Sequence, residues 1–268
     1  MKTRSRRVLI ELAVMFVVSV TAGTIYLRLQ QHLLRSDVQR TLTVIQALKV
    51  GASPVCQLFS EWKDQWRSHL AVDGKCDDPN GFSMDINVQN PPHFWPTCYD
   101  SQEPLFIVLG ACRVYELLSG NPFVFMVRVE GVQHVVSRKV TQVFVLVPDE
   151  DPNEHLPAMI TATAELTAKF SPREEQRPSA QQQRLLHPNY RVFVGESRLN
   201  ADFMPGGRVF FTNVKVGTNA SSADSERLFW FDLSCITRMR WCSRGDLMPA
   251  AYRQYERDLR DSTAQTQH

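Results

Sequence analysis

Residues 8–27 read VLIELAVMFVVSVTAGTIYL, an apolar run that contains a single charged residue, Glu11. Because an α-helix rises about 1.5 Å per residue, a run of this length matches the hydrocarbon core of a bilayer, which is about 30 Å thick. A carboxylate inside such a span is costly, so an intramembrane acid generally has a partner or a function. The run therefore predicts one transmembrane helix, and Glu11 is its most informative residue.

The residues before the run are basic: Lys2, Arg4, Arg6 and Arg7. Positive charge beside a first helix holds that end in the cytoplasm. We therefore expect a cytoplasmic leader over residues 1–7, a span of the inner membrane over 8–27, and a C-terminal domain in the periplasm or outside the cell. The competing interpretation is a cleaved signal peptide, for which the segment 20–24 supplies small residues. The next residues, 25–29, continue the helical pattern and argue against a cut there.

The helix is predicted to continue beyond the membrane as an amphipathic extension over residues 28–54. Neither Pro nor Gly occurs between residues 27 and 50. Apolar residues recur there at steps of three and four, which places them on one face of a helix: Leu34, Val38, Leu42, Ile45 and Leu48. We expect one helix of about forty residues that ends near Gly51 or Pro54, with its outer half lying on a globular head.

Residues 55–257 are expected to form that head, followed by a frayed polar tail over 258–268. A second amphipathic helix is predicted over 55–70, and turn signals make 71–102 look like a loop. Apolar, alternating stretches after it favour strands: 105–109, 123–129, 140–147, 159–170, 190–194, 209–216 and 228–233. The polar segment at about 171–187 reads as a linker. The predicted fold class is α+β, in which a mainly antiparallel sheet, stabilised by disulfides, is carried on the long N-terminal helix.

All the cysteines follow the apolar run: Cys56, Cys76, Cys98, Cys112, Cys235 and Cys242. An even number confined to an exported region fits structural disulfides in an oxidising compartment. The sequence leaves the pairing open, and the first pair we predict is Cys235–Cys242, because it would close a short loop. The histidines are scattered without ligand spacing and no C-x-x-C pair occurs, so no metal and no cofactor are predicted.

Two sequence blocks in the long helix stand at the separation seen in a known family. Leu-Ile-Glu-Leu at 9–12 opens the apolar helix after a short basic leader, and RSDVQRTL at 35–42 is followed by Leu-Lys at 48–49. Over residues 7–55 the chain resembles the type IV pilins and pseudopilins. The resemblance implies long helices packed as the core of a filament, with Glu11 paired to the free N-terminal amine of a neighbouring subunit. It also implies a Cys-bounded loop near the C-terminus, for which Cys235–Cys242 would be the counterpart.

The residues before the apolar run depart from the family pattern. The family's leader is cut after a small residue, normally glycine, whereas Arg6 and Arg7 occupy the corresponding positions here. If the leader stays attached, Arg7 lies four residues before Glu11 and can pair with it along the same helix while both side chains extend toward the cytoplasmic face. Glu11 therefore has two interpretations, an assembly contact or a carboxylate neutralised within its own chain.

A basic and aromatic group lies in or beside the predicted Cys235–Cys242 loop: Arg238, Arg240, Trp241 and Arg244. An exposed loop of this composition can contact single-stranded DNA, a phosphate or a partner subunit. The alternative is a solvated loop with a buried Trp. The net charge of the chain is +2, which points to no nucleic-acid surface over the domain as a whole. Glycine spacing for a nucleophile elbow is absent, and we predict no catalytic residue.

The function predicted is therefore non-enzymatic: a minor pilin-like or pseudopilin-like subunit of a bacterial type IV filament, secretion or DNA-uptake apparatus. Its partners would be other pilin-like subunits. The alternative is an uncleaved single-pass inner-membrane protein whose periplasmic domain binds a ligand or scaffolds an envelope complex. A third class, an anchored periplasmic enzyme, has no motif in its favour.

Overall fold

The computed structural model describes residues 2–67, 69–75, 78, 81–90, 122–147, 158–168, 187, 189–198, 207–237 and 241–265. Within them the chain is α+β, with one long helix at the N-terminus and a seven-stranded sheet. The coarse fold class predicted from the sequence is confirmed. The predicted strand at 105–109 and nearly all of the predicted linker at 171–187 lie outside the described residues.

The first helix, α1 (Lys2–Ala47), runs without a break through the apolar run and the amphipathic extension. Every side chain from residue 8 to residue 23 is exposed, and among the described helices α1 is the one that is long and apolar enough to cross a membrane. The helix ends at Ala47, shortly before Gly51, which adopts a positive φ of 81°. The predicted continuation of the helix out of the apolar run is thus confirmed.

The remaining elements follow in chain order. A second helix, α2 (Val55–Gln65), buries Val55, Leu58 and Trp62. The strands are β1 (Leu70–Asp73), β2 (Phe82–Asn90), β3 (Phe123–Val132), β4 (Val135–Val147), β5 (Ala158–Thr167), β6 (Tyr190–Arg198) and β7 (Arg208–Gly217). After the sheet come α3 (Ser222–Leu228), a 3₁₀ turn (Ser234–Thr237) and α4 (Pro249–Gln265).

The sheet is mixed, with the strand order β1-β2-β3-β4-β5-β7-β6. Neighbouring strands from β1 to β5 are antiparallel, β7 lies parallel to β5, and β6 pairs antiparallel with β7 at the edge. The expectation of a mainly antiparallel meander is corrected by this arrangement. β6 lies at the edge and runs opposite to β5, so β7, which pairs antiparallel with β6 in the position between them, runs in the same direction as β5.

Two segments differ from their predicted local structure. Residues 71–102 were expected to be a loop, but they include most of β1 and all of β2. Apolar residues alternate with polar ones over β2, as in a half-buried strand: Phe82, Met84, Ile86 and Val88. The turn-forming residues on both sides of this short stretch led to the prediction of a loop. The predicted strand at 228–233 is wrong, since α3 ends at Leu228 and an irregular segment follows it. Ser221 accepts a hydrogen bond from the Asp224 N–H, a helix N-cap that favours α3 here.

One face of the sheet carries the helices. Lys139 of β4 contacts the end of α1, and its register partners Val129 of β3 and Leu166 of β5 share that face. The alternating residues of β2 lie on the same face, because Met84 pairs with Val129. These inward positions are almost fully buried: Met84, Ile86, Phe125, Val127, Val143 and Val145 are no more than 1% exposed. The core therefore lies between this sheet face and the helices α1 and α2.

The corner between α1 and α2 is bonded to the β3–β4 hairpin. The Gly51 N–H donates to the Val136 carbonyl at 2.7 Å, and the Val55 N–H donates to the His134 carbonyl at 3.0 Å. Gly131 lies directly beneath Val55, where a Cβ added to the glycine would be 2.7 Å from Val55 Cγ1. The absence of a side chain at residue 131 thus allows α2 to approach β3.

We expect Gly131→Ala to lower the free energy of unfolding by about 1–3 kcal/mol, because the added methyl overpacks this contact. Chemical denaturation of the full-length protein in detergent would measure the loss. The double variant Gly131→Ala, Val55→Ala should recover part of it, since the second change removes the two methyls that crowd the first. Equal stability of Gly131→Ala and the wild type would show that the corner can shift without cost.

Candidate functional site

The first half of α1 presents an apolar surface to its surroundings. Its large side chains are mostly more than half exposed, for example Leu9 at 64%, Met15 at 67% and Phe16 at 70%. The Glu11 side chain lies on the same exposed stretch. A patch of this length and composition is unstable in water, and a bilayer or packed neighbouring helices would cover it.

The second half of α1 is bound to the head. Val38, Leu42 and Ile45 are completely buried, and Leu34 and Leu48 are partly buried against the same core. This is the apolar stripe predicted from the sequence. Trp66, which follows α2, donates an indole hydrogen bond to the Thr41 hydroxyl at 3.0 Å. The head therefore cannot rotate about α1 without breaking a buried contact.

Lys139 of β4 closes the C-terminal end of α1. Its ammonium donates to the carbonyls of Ile45, Gln46 and Leu48 at 2.7, 3.1 and 2.9 Å, and it lies 4.9 Å from the centre of the Phe229 ring. Carbonyls at a helix C-terminus lack intrahelical partners and attract positive charge. Burial lowers the pKa of Lys139 from 10.5 to about 8. Lys139 was not among the site residues predicted from the sequence.

The segment from Phe229 to Thr237 runs along α1 toward the apolar half. At its start, Gln46 donates to the Phe229 carbonyl at 3.2 Å. At its end, Arg35 donates to the Thr237 hydroxyl at 2.8 Å and Arg28 donates to the Thr237 carbonyl at 3.3 Å. Arg28 is the residue that directly follows the apolar run. This end of the head thus reaches the boundary between the exposed and the bound halves of α1.

The disulfide Cys235–Cys242 closes the loop at that end, with its Cα atoms 5.1 Å apart. The pairing predicted from the sequence is confirmed. Cys56 is also disulfide-bonded, and its sulfur lies 3.8 Å from His134 Nδ1. The other three predicted disulfide cysteines lie outside the described residues: Cys76, Cys98 and Cys112.

The structure describes two of the four basic and aromatic residues predicted at this loop, and these two have different surroundings. Trp241 is 38% exposed, whereas Arg244 stacks on the Phe210 ring at 3.6 Å and lies 3.7 Å from a Glu196 oxygen. Arg238 and Arg240 lie outside the described residues. Of the two described residues, Trp241 lies at the surface, and Arg244, although its side chain is also partly exposed, packs against the β6–β7 edge.

A cavity of about 250 Å³ lies beside Arg244, between β6, β7 and α4. Phe210, Tyr252 and Tyr255 contribute its aromatic wall, and Glu196 is the acid on its lining. A hydrogen bond from Arg208 lowers the pKa of Glu196, and the two side chains are 2.9 Å apart. A carboxylate held ionised in this way is a poor proton donor or base near neutral pH. Among the described residues no group of three or more His, Cys, Asp or Glu side chains could hold a metal ion.

A pattern in the sequence could have revealed Lys139. In β4 the inward positions alternate, so Lys139 and Thr141 share a face with Val143 and Val145. A lysine on a mostly apolar strand face needs hydrogen-bond acceptors inside the core. Where a helix packs on that face, the carbonyl groups of its last turn are such acceptors, because they lack partners within the helix. No sequence pattern predicted the contacts of Arg28 and Arg35, because their partner Thr237 is about two hundred residues away in the chain.

Glu11 thus lies on the exposed apolar half of α1, and the Cys235–Cys242 loop lies near the point where that half ends. The two features are joined by one continuous helix. Comparisons of the chain with protein-family models, with curated proteins and with solved structures found no match.

Proposed function

We propose that this protein is a non-enzymatic assembly subunit, a minor pilin-like or pseudopilin-like component of a bacterial type IV filament, secretion or DNA-uptake apparatus. In this proposal α1 anchors the subunit in the inner membrane, with its N-terminus in the cytoplasm and the head in the periplasm. The partners are other pilin-like subunits, which bind through the exposed half of α1.

The observation that carries the proposal is the division of α1 into two halves with opposite surroundings. Residues 8–23 expose an apolar surface that contains one acid, Glu11, while Val38, Leu42 and Ile45 are buried against the sheet. A helix built this way can move from lipid to a bundle of like helices without unfolding the head, since both environments are apolar. The firm attachment of the outer half supports the same role, because force on the helix is transmitted to the head.

Glu11 supplies the specificity in this proposal. A buried carboxylate is tolerated when a cation meets it in a medium of low dielectric constant. The N-terminal amine of a neighbouring subunit is such a cation, and one acid per helix would set the axial position of each subunit relative to the next. The resemblance over residues 7–55 supports this assignment, and the exposed position of Glu11 is compatible with it.

A second function is favoured by Arg6 and Arg7, which stand where the family has its cleavage site. In that alternative the chain stays uncleaved as a single-pass inner-membrane protein, and its periplasmic domain scaffolds an envelope complex or binds a ligand. Arg7 would then pair with Glu11 within the same helix.

The intact mass and N-terminal residue of the protein extracted from its native membrane distinguish the two functions. We expect a mature chain that begins at or near Arg7, with a methylated amine, if the protein is processed for assembly. A chain that still begins at Met1 would exclude processing and make the uncleaved anchor the leading function.

A further inference from the structure

We propose that the Cys235–Cys242 loop holds Trp241 in the head-group layer of the membrane that α1 spans, so that the head is attached to the bilayer surface at a second point. The proposal rests on α1 spanning a membrane and does not require assembly into a filament. Its partner is the lipid interface itself.

The level of the membrane surface is marked on α1 by its own residues. Tyr26, at the end of the apolar run, is 61% exposed, and Arg28 follows it within one turn. Aromatic rings and basic residues at the end of a span are the usual features of the membrane–water interface. Tyr26 and Arg28 therefore indicate that the membrane surface crosses α1 at about residues 26–28.

The loop is brought to this level by the path of the chain. Phe229 lies beside Gln46, and Thr237 lies beside Arg28 and Arg35. Gln46 and Arg28 are separated by about 27 Å along the helix. The chain then turns back, since the Asp232 N–H donates to the Leu247 carbonyl at 2.9 Å. Thr237 and the disulfide at Cys235, two residues before it, therefore lie toward the membrane side of this excursion.

The disulfide fixes Trp241 close to that end. Cys235 and Cys242 have their Cα atoms 5.1 Å apart, so the Cα of Trp241 lies within about 9 Å of the Cys235 Cα. Cys235 belongs to the same 3₁₀ turn as Thr237, whose carbonyl accepts from Arg28 at 3.3 Å. Trp241 is therefore held close to the turn that Arg28 contacts, and the residue is 38% exposed.

An exposed indole at this position is explained by its chemistry. Trp has a large apolar ring and one N–H donor, and it is enriched where one end of the side chain meets hydrocarbon and the other meets water. The guanidinium groups of Arg28 and Arg35 hold the loop against α1 and place positive charge at the same level, where anionic lipids attract it. Trp241 of the loop and the two arginines of α1 thus combine an aromatic anchor with positive charge at a depth where both are favourable.

Fluorescence quenching by brominated lipids tests the proposal on the full-length protein in vesicles of phosphatidylcholine and phosphatidylglycerol. We expect bromine near the head-group end of the acyl chains to quench part of the Trp emission of the wild type. The Trp241→Phe variant should lose most of that quenching. The matched control is Trp230→Phe, because Trp230 is 49% exposed but neighbours Phe229, which lies beside Gln46 at the far end of the bound helix. That variant should keep the quenching.

The result that would overturn the proposal is equal quenching of the wild type and Trp241→Phe, or no quenching of the wild type. Non-reducing mass analysis and circular dichroism confirm that each variant retains its disulfides and fold. If Trp241→Phe failed to fold, the depth profile of the double variant Trp95→Phe, Trp230→Phe would still decide, because Trp62 and Trp66 are buried and Trp241 is then the remaining Trp that lipid can reach. Quenching of this variant must be stronger with bromine near the head group than near the bilayer centre. None of these readouts depends on filament assembly, so failure here and failure of the proposed function are separate outcomes.

Discussion

Replacing Glu11 by alanine is expected to abolish incorporation of this protein into an assembled filament or secretion complex while membrane insertion is retained. In the proposed function the carboxylate is the charged contact between subunits, and its removal leaves the neighbour's ammonium without a partner in a medium of low dielectric constant. Insertion should be unaffected or improved, because the span becomes more apolar. Fractionation of the native cells into membrane and sheared or purified assembly, followed by immunodetection, measures both quantities.

Two further variants make the Glu11 result specific. Glu11→Gln keeps the volume and hydrogen-bonding capacity but removes the charge, and it should fail to assemble as well. Val14→Ala truncates an exposed residue of the same apolar half and should assemble normally. Normal incorporation of Glu11→Ala would contradict the assembly role and favour the uncleaved anchor, in which Glu11 is neutralised by Arg7 of its own chain.

Replacing Lys139 by methionine is expected to lower the free energy of unfolding by about 2 kcal/mol at pH 7, because three carbonyls at the end of α1 lose their buried donor. Methionine keeps most of the volume, so the loss reports the hydrogen bonds and the charge rather than a cavity. The head should also attach less firmly to α1, which hydrogen exchange of the amides around Ala47 would detect. Denaturation of the full-length protein in detergent measures the stability.

The stability difference between the wild type and Lys139→Met is expected to widen as pH rises. Lys139 loses its proton near pH 8 in the folded protein, because burial lowers its pKa, and near 10.5 in the unfolded chain. Between these values the unfolded state binds more protons, so the free energy of unfolding of the wild type rises with pH, by up to about 1.4 kcal/mol per pH unit. Below pH 8 the lysine is charged in both states, and this term does not change with pH.

Lys215→Met is the control for a lysine outside the core. Lys215 is on β7 and lies 3.9 Å from Glu165 at the partly exposed side of the sheet. Its replacement should change stability by no more than about 1 kcal/mol and leave the slope between pH 8 and 10.5 as in the wild type. A stability difference for Lys139→Met that narrows with rising pH would mean that the helix carbonyls raise the pKa of Lys139 more than burial lowers it.

Local patterns were sufficient for the helical half of this fold. The apolar run at 8–27 and the stripe through Val38, Leu42 and Ile45 predicted a continuous α1 with an exposed and a bound half, and the structure has both. The Cys235–Cys242 pair was predicted correctly for a similar reason, because the two residues are close in the chain. Each of these features depends on residues within a few turns or one short loop of one another.

The tertiary structure alone decided the features that join distant parts of the chain. The parallel pairing of β5 and β7 depends on which strand occupies the edge, and strand alternation carries no information about neighbours. Lys139 reaches carbonyls more than ninety residues before it, and Arg28 reaches Thr237. The sequence therefore determined a long helix whose exposed apolar half carries one acid, and a disulfide that closes a short loop of the head, because helical periodicity and the closure of a short loop are local. The attachment of that head to the helix and the position of its loop were decided by packing, because the chain must close long loops before those contacts can form.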